Sequence, residues 1–313
     1  MPDLGPAVRT VLEQCLAVRP GEDVLVIVDA GTREIGTALR EAAAALGAEA
    51  VLAEMDERAT DGTEPPRQIA AAMLESDVVI APTSRSLSHT RARKRACEAG
   101  SRAATMPGVT ADMMARVMAV DFGPMAERSA AIAGLLSAGN VAEIECPRGT
   151  DLRLDLRGRE GIADDGQIAS PGAFGNLPCG EGFIAPAGGE GSIVASSLAS
   201  IGMTEPPALL RVEDGRIVGA ERGLGPEFLA RLEQHGELGC NLAELGVGTN
   251  DRATMTGNIL EDEKILGTVH VAFGASAGIG GTVSVPIHLD AVVLDATLRI
   301  DGRPVLDAGR YVL

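Results

Sequence analysis

The sequence predicts an α/β N-terminal domain with a mainly parallel sheet, followed by a β-rich α+β C-terminal domain that carries a metal site. Three observations predict it. Through residues 1–134, short apolar runs alternate with helical, Ala-rich stretches, the pattern of parallel strands joined by covering helices. Beyond Gly134 the chain changes to short alternating strands joined by tight turns. Two of only four histidines, His270 and His288, fall in one strand-like, Gly-rich stretch of that second half.

The elements follow in order. Residues 8–18 read as an amphipathic helix. Asp23–Val28 (DVLVIV) is a continuous apolar run, as expected of a strand buried on both faces. Residues 32–46 are Ala-rich and helical, closed by Gly47. Residues 50–54 form a second strand, Arg67–Leu74 a helix, residues 77–81 a third strand and residues 88–99 another helix. From residue 140 onward come VAEIECP, DLRLDLRG and ALLRVEDGRIVGAERG. Asp214-Gly215 and Asp301-Gly302 each sit between alternating runs, a strong hairpin signal. Residues 225–235 (GPEFLARLEQH) are the one clear helix of this half. The expected domains are therefore 1–134 and 135–313.

Composition narrows the function. Aromatics are 2% of the chain, with no Trp, so the core must be built from Ala, Val, Leu, Ile and Met. The net charge of −17 argues against nucleic-acid and anionic-membrane partners, which reward clustered Lys and Arg. The most basic run, Arg91, Arg93, Lys94 and Arg95, reads as a solvated helix face. Five scattered cysteines with no CxxC pair imply a reduced, cytoplasmic compartment. The N-terminus lacks the basic and apolar regions of a signal peptide, and no apolar stretch is long enough to span a bilayer.

The candidate chemistry centres on Ile287-His288-Leu289-Asp290. Residues i and i+2 of a strand face the same way, so His288 and Asp290 aim an imidazole and a carboxylate at one point. A carboxylate inside the apolar run VSVPIHLDAVVLDA is costly to desolvate unless paired or metal-bound. His270, in GTVHVAFG, completes a three-ligand set if its strand is a neighbour; taken alone it also reads as a hydrogen-bonded core histidine. Glu181, in NLPCGEGF, sits on a backbone made irregular by Pro and Gly and reads as a loop ligand or a solvated acid. Glu244 is an isolated acid in an apolar, Gly-rich setting. Asp262-Glu263-Lys264 is either a turn or the source of a partner or general base. Such an O/N donor set suits Zn, Mn, Co or Fe(II). Two metals sharing a carboxylate would activate water, whereas one metal on His270, His288 and Asp290 would be a facial triad with open positions. No P-loop is present, and GASAGIGG is not followed by a helix, so it is a poor dinucleotide fingerprint.

Taken together, NLPCGEGFIAP, LAELGVGTN, DEKILGTVHVAFG and IHLDAVV resemble the aminopeptidase T / aminopeptidase S family of two-metal peptidases, in its shorter branch. The resemblance covers most of residues 135–313 and extends weakly into SLSHTRAR and TMPG of the first half. It implies that Glu181, Glu244, His270, His288 and Asp290 are metal ligands, with Glu244 bridging, and that the chain is a homodimer acting on a small-molecule or short peptide substrate. Glu263 is then a possible base in amide hydrolysis. One position departs from the family: the peptidases carry a catalytic tyrosine seven residues after the first histidine, and here it is Ala277, the only tyrosine being Tyr311. The same motifs resemble 2,5-dihydroxypyridine 5,6-dioxygenase, a mononuclear Fe(II) enzyme with a His, His, Asp triad and no need of that tyrosine. On that resemblance His89 becomes a candidate acid/base group and Arg93 a candidate for a substrate carboxylate; the plainer readings are a helix N-terminal histidine and a surface arginine. A ring-stacking pocket would rest on Phe174, Phe183 or Phe273. The expectations rank as metal-dependent hydrolase first, Fe(II) dioxygenase second, and a non-catalytic binding protein on the same fold third.

Overall fold

The structure, a computed structural model, describes residues 2–119 and 122–312. The chain forms β1 (Asp23–Val28), β2 (Glu49–Glu54), β3 (Val78–Ala81) and β4 (Arg102–Thr105), then β5 (Val141–Glu145), β6 (Asp151–Asp155) and β7 (Ile162–Asp164). It continues with β8 (Phe174–Asn176), β9 (Glu181–Ile184), β10 (Gly188–Leu198), β11 (Gly202–Glu213) and β12 (Arg216–Glu221). The last strands are β13 (Leu242–Gly248), β14 (Val269–Gly274), β15 (His288–Val293), β16 (Thr297–Ile300), β17 (Arg303–Asp307) and β18 (Arg310–Tyr311). Two compact units result: residues 1–122 with 166–179, and residues 123–165 with 180–313.

The first unit carries a five-stranded sheet in the order β2-β1-β3-β4-β8, all parallel. β1 is buried from Val24 to Val28, as its unbroken apolar run demands. Helix Arg33–Ala45 lies on this sheet through Ile35, Leu39 and Ala43. Gly36 permits the close approach, because a Cβ there would collide with the Val28 side chain. The first helix starts earlier than expected, at Gly5, because Pro6 suits a first turn, and it ends as a π-helical turn at Cys15. The helix expected over residues 88–99 shortens to Arg91–Glu98, because the Thr90 hydroxyl accepts from Arg93 N and caps it there. Arg91, Lys94 and Arg95 are exposed, as a solvated face requires.

The second unit holds thirteen described strands in one antiparallel sheet. Its central path runs β18-β17-β16-β5-β6-β10-β15-β14-β13-β9-β7, with β11 and β12 branching from β10. The core is aliphatic, as the composition requires; Phe228 and Phe273, edge to face at 6.2 Å, are its aromatic pair. Both Asp-Gly hairpins form. Asp214 and Gly215 have φ of 48° and 70°, and Asp301 and Gly302 have 50° and 77°, the paired left-handed residues of a type I′ turn.

The units do not meet at the single expected boundary between residues 134 and 135. Helix Phe122–Ala138 falls almost wholly in the second unit, and residues 166–179 return to the first. The reason is β8, which pairs parallel with β4 through Ala103↔Phe174 and Thr105↔Asn176 and supplies the fifth strand of the first sheet. A three-residue strand, FGN, carries no periodic signal to announce this. No helix among the described residues is long and apolar enough to cross a membrane.

Candidate metal centre

Four adjacent strands of the second unit, β9, β13, β14 and β15, build the site. Their register decides which side chains share a face. Gly248 pairs with Glu181, Gly246 with His270, Ala272 with Asp290 and Gly274 with His288. By two-residue alternation, Glu181, Glu244, His270, His288 and Asp290 therefore project from one face. Leu245, Val247, Val271, Phe273, Leu289 and Ala291 alternate with them and enter the core. The remaining positions on this face of β13 and β14 are Gly246, Gly248, Ala272 and Gly274, which leave room for the five polar side chains.

The five side chains meet. Glu244 spans both imidazoles, with Oε1 3.4 Å from His270 Nε2 and Oε2 3.3 Å from His288 Nε2. His288 Nε2 lies 3.5 Å from Asp290 Oδ1, and His270 Nε2 lies 3.1 Å from Glu181 Oε2. Donor atoms fall into three overlapping groups, each within 4.8 Å: Glu181, Glu244 and His270; Glu244, His288 and Asp290; and Glu263, His270 and Asp290. The His288 tautomer is set by its surroundings. Nδ1 lies 2.7 Å from the Ala275 carbonyl, which only accepts, so Nδ1 carries a proton and Nε2 is the atom turned toward Glu244 and Asp290.

The electrostatics are those of a cation site. Asp164, Glu181, Glu244, Glu263 and Asp290 converge with one permanent cation, Lys264. Burial opposes ionisation of Glu244, yet its hydrogen bonds to His270 and His288 prevail and hold it at about 2. Burial likewise opposes the charged forms of Glu181 and Asp290; Lys264 and His270 pull the first down, and His288 the second. Burial pushes Glu263 up to about 7, with Lys264 opposing and Asp290 and Glu181 reinforcing. Burial raises Asp164 well above the usual carboxylate value. Both imidazoles are raised against the pull of burial, His270 by Glu181 and Glu244, and His288 by Asp290 and Glu244.

Two buried polar atoms of the cluster, Glu181 Oε2 and His270 Nδ1, make no hydrogen bond of acceptable geometry. An acceptor-rich face, an excess of carboxylates and an unsatisfied buried carboxylate oxygen fit a divalent metal. Glu181, Glu244, His270, His288 and Asp290 are the residues that could hold it.

The other candidates are placed as follows. Glu263 adjoins the cluster through His270 and Asp290. His89 is exposed in the turn before helix Arg91–Glu98 of the first unit. Arg93 is not a plain surface arginine. Its Nε donates to Ser88 O at 2.7 Å, and its guanidinium lies 3.9 Å over the Phe174 ring, so Phe174 is already stacked. Phe273 points into the core, away from the ligand face, while Phe183 shares that face with Glu181. Ala277 is exposed on a short 3₁₀ turn, and the Tyr311 hydroxyl donates to Gly248 O at 2.7 Å. Sequence reasoning missed Asp164, Gly246 and the buried role of Lys264. The one available signal was a lysine within DEK a few residues before an apolar strand.

The fold and this cluster define the class: a metalloenzyme whose centre lies on an antiparallel sheet. The match to a family model then places it, for residues 3–313 fit the family NicX: 2,5-dihydroxypyridine 5,6-dioxygenase, and the chain belongs to that family. Among solved structures it is similar to 2,5-dihydroxypyridine dioxygenase from Pseudomonas putida KT2440, with a TM-score of 0.83 and 19% identity over 99% of this chain and 96% of that one. It is also similar to wild-type AmpT from Thermus thermophilus, with a TM-score of 0.71 and 20% identity over 99% of each chain. A search of curated proteins gives no significant match.

Proposed function

We propose that this chain is a ferrous-iron-dependent dioxygenase that opens a small, electron-rich hydroxylated ring, with one metal held by His270, His288 and Asp290. This reverses the order of the first two expectations. The observation that carries it over amide hydrolysis is the lack of a phenol for a tetrahedral intermediate. The position seven residues after His270 is an exposed alanine, and the hydroxyl of Tyr311 is committed to the Gly248 carbonyl. Family membership over nearly the whole chain supports the same reading.

Held by His270, His288 and Asp290, a ferrous ion would supply the redox chemistry that dioxygen needs. The chain supplies the rest. The Ala275 carbonyl orients His288, and the Gly246 backbone leaves the space that His270 occupies. Glu263, held near 7, is suited to take a proton from a ring hydroxyl. Phe183 offers a flat apolar surface on the same face.

A second reading, a two-metal hydrolase, is favoured by one observation: Glu181 and Glu244 exceed the needs of a triad, and Glu244 touches both imidazoles. The deciding experiment is anaerobic reconstitution with Fe(II), followed by oxygen uptake with dihydroxylated pyridines and benzenes. Oxygen consumed in step with loss of ring absorbance supports ring opening. Two Zn, Mn or Co per chain, with release of p-nitroaniline from an aminoacyl anilide and no oxygen uptake, would establish the hydrolase instead.

A further inference from the structure

We propose that Lys264 is a positioning residue that restricts Glu181 to one metal-facing oxygen and so keeps a coordination position open for substrate. The inference rests on the metal-centre reading above, with Glu181 among the residues that hold the ion.

Lys264 is 1% exposed, so its ammonium can be charged only if its protons are accepted within the protein. Its Nζ donates to Glu181 Oε1 at 2.5 Å and Glu263 Oε1 at 2.7 Å, and lies 3.7 Å from Asp164 Oδ2. The lysine itself is fixed. Its backbone N–H donates to Glu261 O and its carbonyl accepts from Asn250 N. The preceding residue pair is anchored by Asp262, whose carboxylate accepts from Ser197 Oγ, Thr256 N and Gly257 N.

The consequence falls on denticity. A carboxylate can ligate through one oxygen or chelate through both. Lys264 holds Glu181 Oε1, so only Oε2 faces the cluster, where it is buried, lacks a hydrogen bond and lies 3.1 Å from His270 Nε2. Glu263 is held by one oxygen in the same manner. With the lysine neutralised, Glu181 is free to turn and chelate, filling a position that substrate would otherwise take.

The test uses cobalt(II), whose visible absorption weakens as coordination number rises. Wild-type protein, Lys264→Met and Glu181→Gln are titrated with cobalt. Lys264→Met should bind cobalt about tenfold tighter or better, the scale of removing a unit positive charge close to the ion. Its absorption per bound cobalt should fall by roughly half. A lysine serving only to support the fold would instead weaken binding and leave the absorption per bound ion unchanged, and that result overturns the proposal.

Glu181→Gln decides the matter if Lys264→Met does not fold. Lys264 only donates, so it selects the amide oxygen and turns the amide nitrogen toward the metal. Glu181→Gln should then lose as much cobalt affinity as Glu181→Ala. A Gln variant within about threefold of wild type overturns the inference. Wild-type protein that takes up no cobalt refutes the metal-centre reading and this inference with it, whereas normal wild-type binding with unaltered variants refutes the role of Lys264 alone.

Discussion

Gly246 faces His270 across β13 and β14, and any Cβ at residue 246 would collide with imidazole Nε2. The backbone of one strand is thus the floor on which the neighbouring imidazole rests. Gly246→Ala should expel the imidazole from its position. We expect a loss of roughly 1–3 kcal/mol from overpacking and a fall in bound metal to near background. A melt and elemental analysis of the purified variant check both. Full metal occupancy in Gly246→Ala would show that His270 does not ligate from this position.

His288 and Asp290 sit two residues apart on β15 and contact each other through Nε2 and Oδ1. His288→Ala and Asp290→Ala should each lower metal affinity by at least about 100-fold, beyond the loss typical of a residue that merely orients a ligand. Equilibrium dialysis against Fe(II) or Mn(II) reads this directly. Retained affinity in both variants would move the metal to the Glu181, Glu244 and His270 group instead.

The legibility of this chain follows from the range of its signals. β1, the helix Arg67–Leu74 and both Asp-Gly hairpins were readable because their patterns are local: an unbroken apolar run, a helical period, a pair of left-handed residues. The convergence of His288 and Asp290 was readable for the same reason, since alternation along one strand fixes it. The placement of β8 was not, because which sheet a three-residue strand joins depends on partners 71 residues away in Thr105↔Asn176. Lys264 and Asp164 were hidden similarly. A lysine that ends an acidic run reads as a solvated turn, and only the fold reveals that Nζ is enclosed by Glu181, Glu263 and Asp164.

The metal-free protein should show a pH dependence traceable to Glu263. Its folded value, about 7, lies above that of an unfolded glutamate, so the folded state holds a proton that the unfolded chain releases earlier. The stability it contributes is complete below about pH 4.3 and declines as pH rises to about 7. Glu263→Gln should flatten that part of the profile by up to roughly 4 kcal/mol. Glu244 acts in the opposite sense: held at about 2, it contributes stability at neutral pH that is lost as the solution is acidified toward that value. Urea unfolding of wild type and Glu263→Gln at several pH values separates the two. Parallel profiles between pH 4 and 7 would remove Glu263 from the account.

On the ring-opening reading, Phe183 is the aromatic residue that would meet the substrate. It shares the ligand face of β9 with Glu181, and its partner on β13 is Gly246, which offers no side chain to cover it. The other two sequence candidates are already engaged, Phe174 under Arg93 and Phe273 against Phe228 in the core. Phe183→Ala should therefore raise KM for a ring substrate by about 5- to 30-fold, the range of one lost stacking contact of roughly 1–2 kcal/mol. Metal content should not change, since the ring is no ligand. Phe273→Leu is the contrasting variant: it should lower the melting temperature and leave KM alone, because its ring packs only within the core. Steady-state oxygen uptake with metal analysis on both variants distinguishes a substrate contact from a packing defect. A Phe183→Ala enzyme with wild-type KM would place the ring elsewhere on the ligand face.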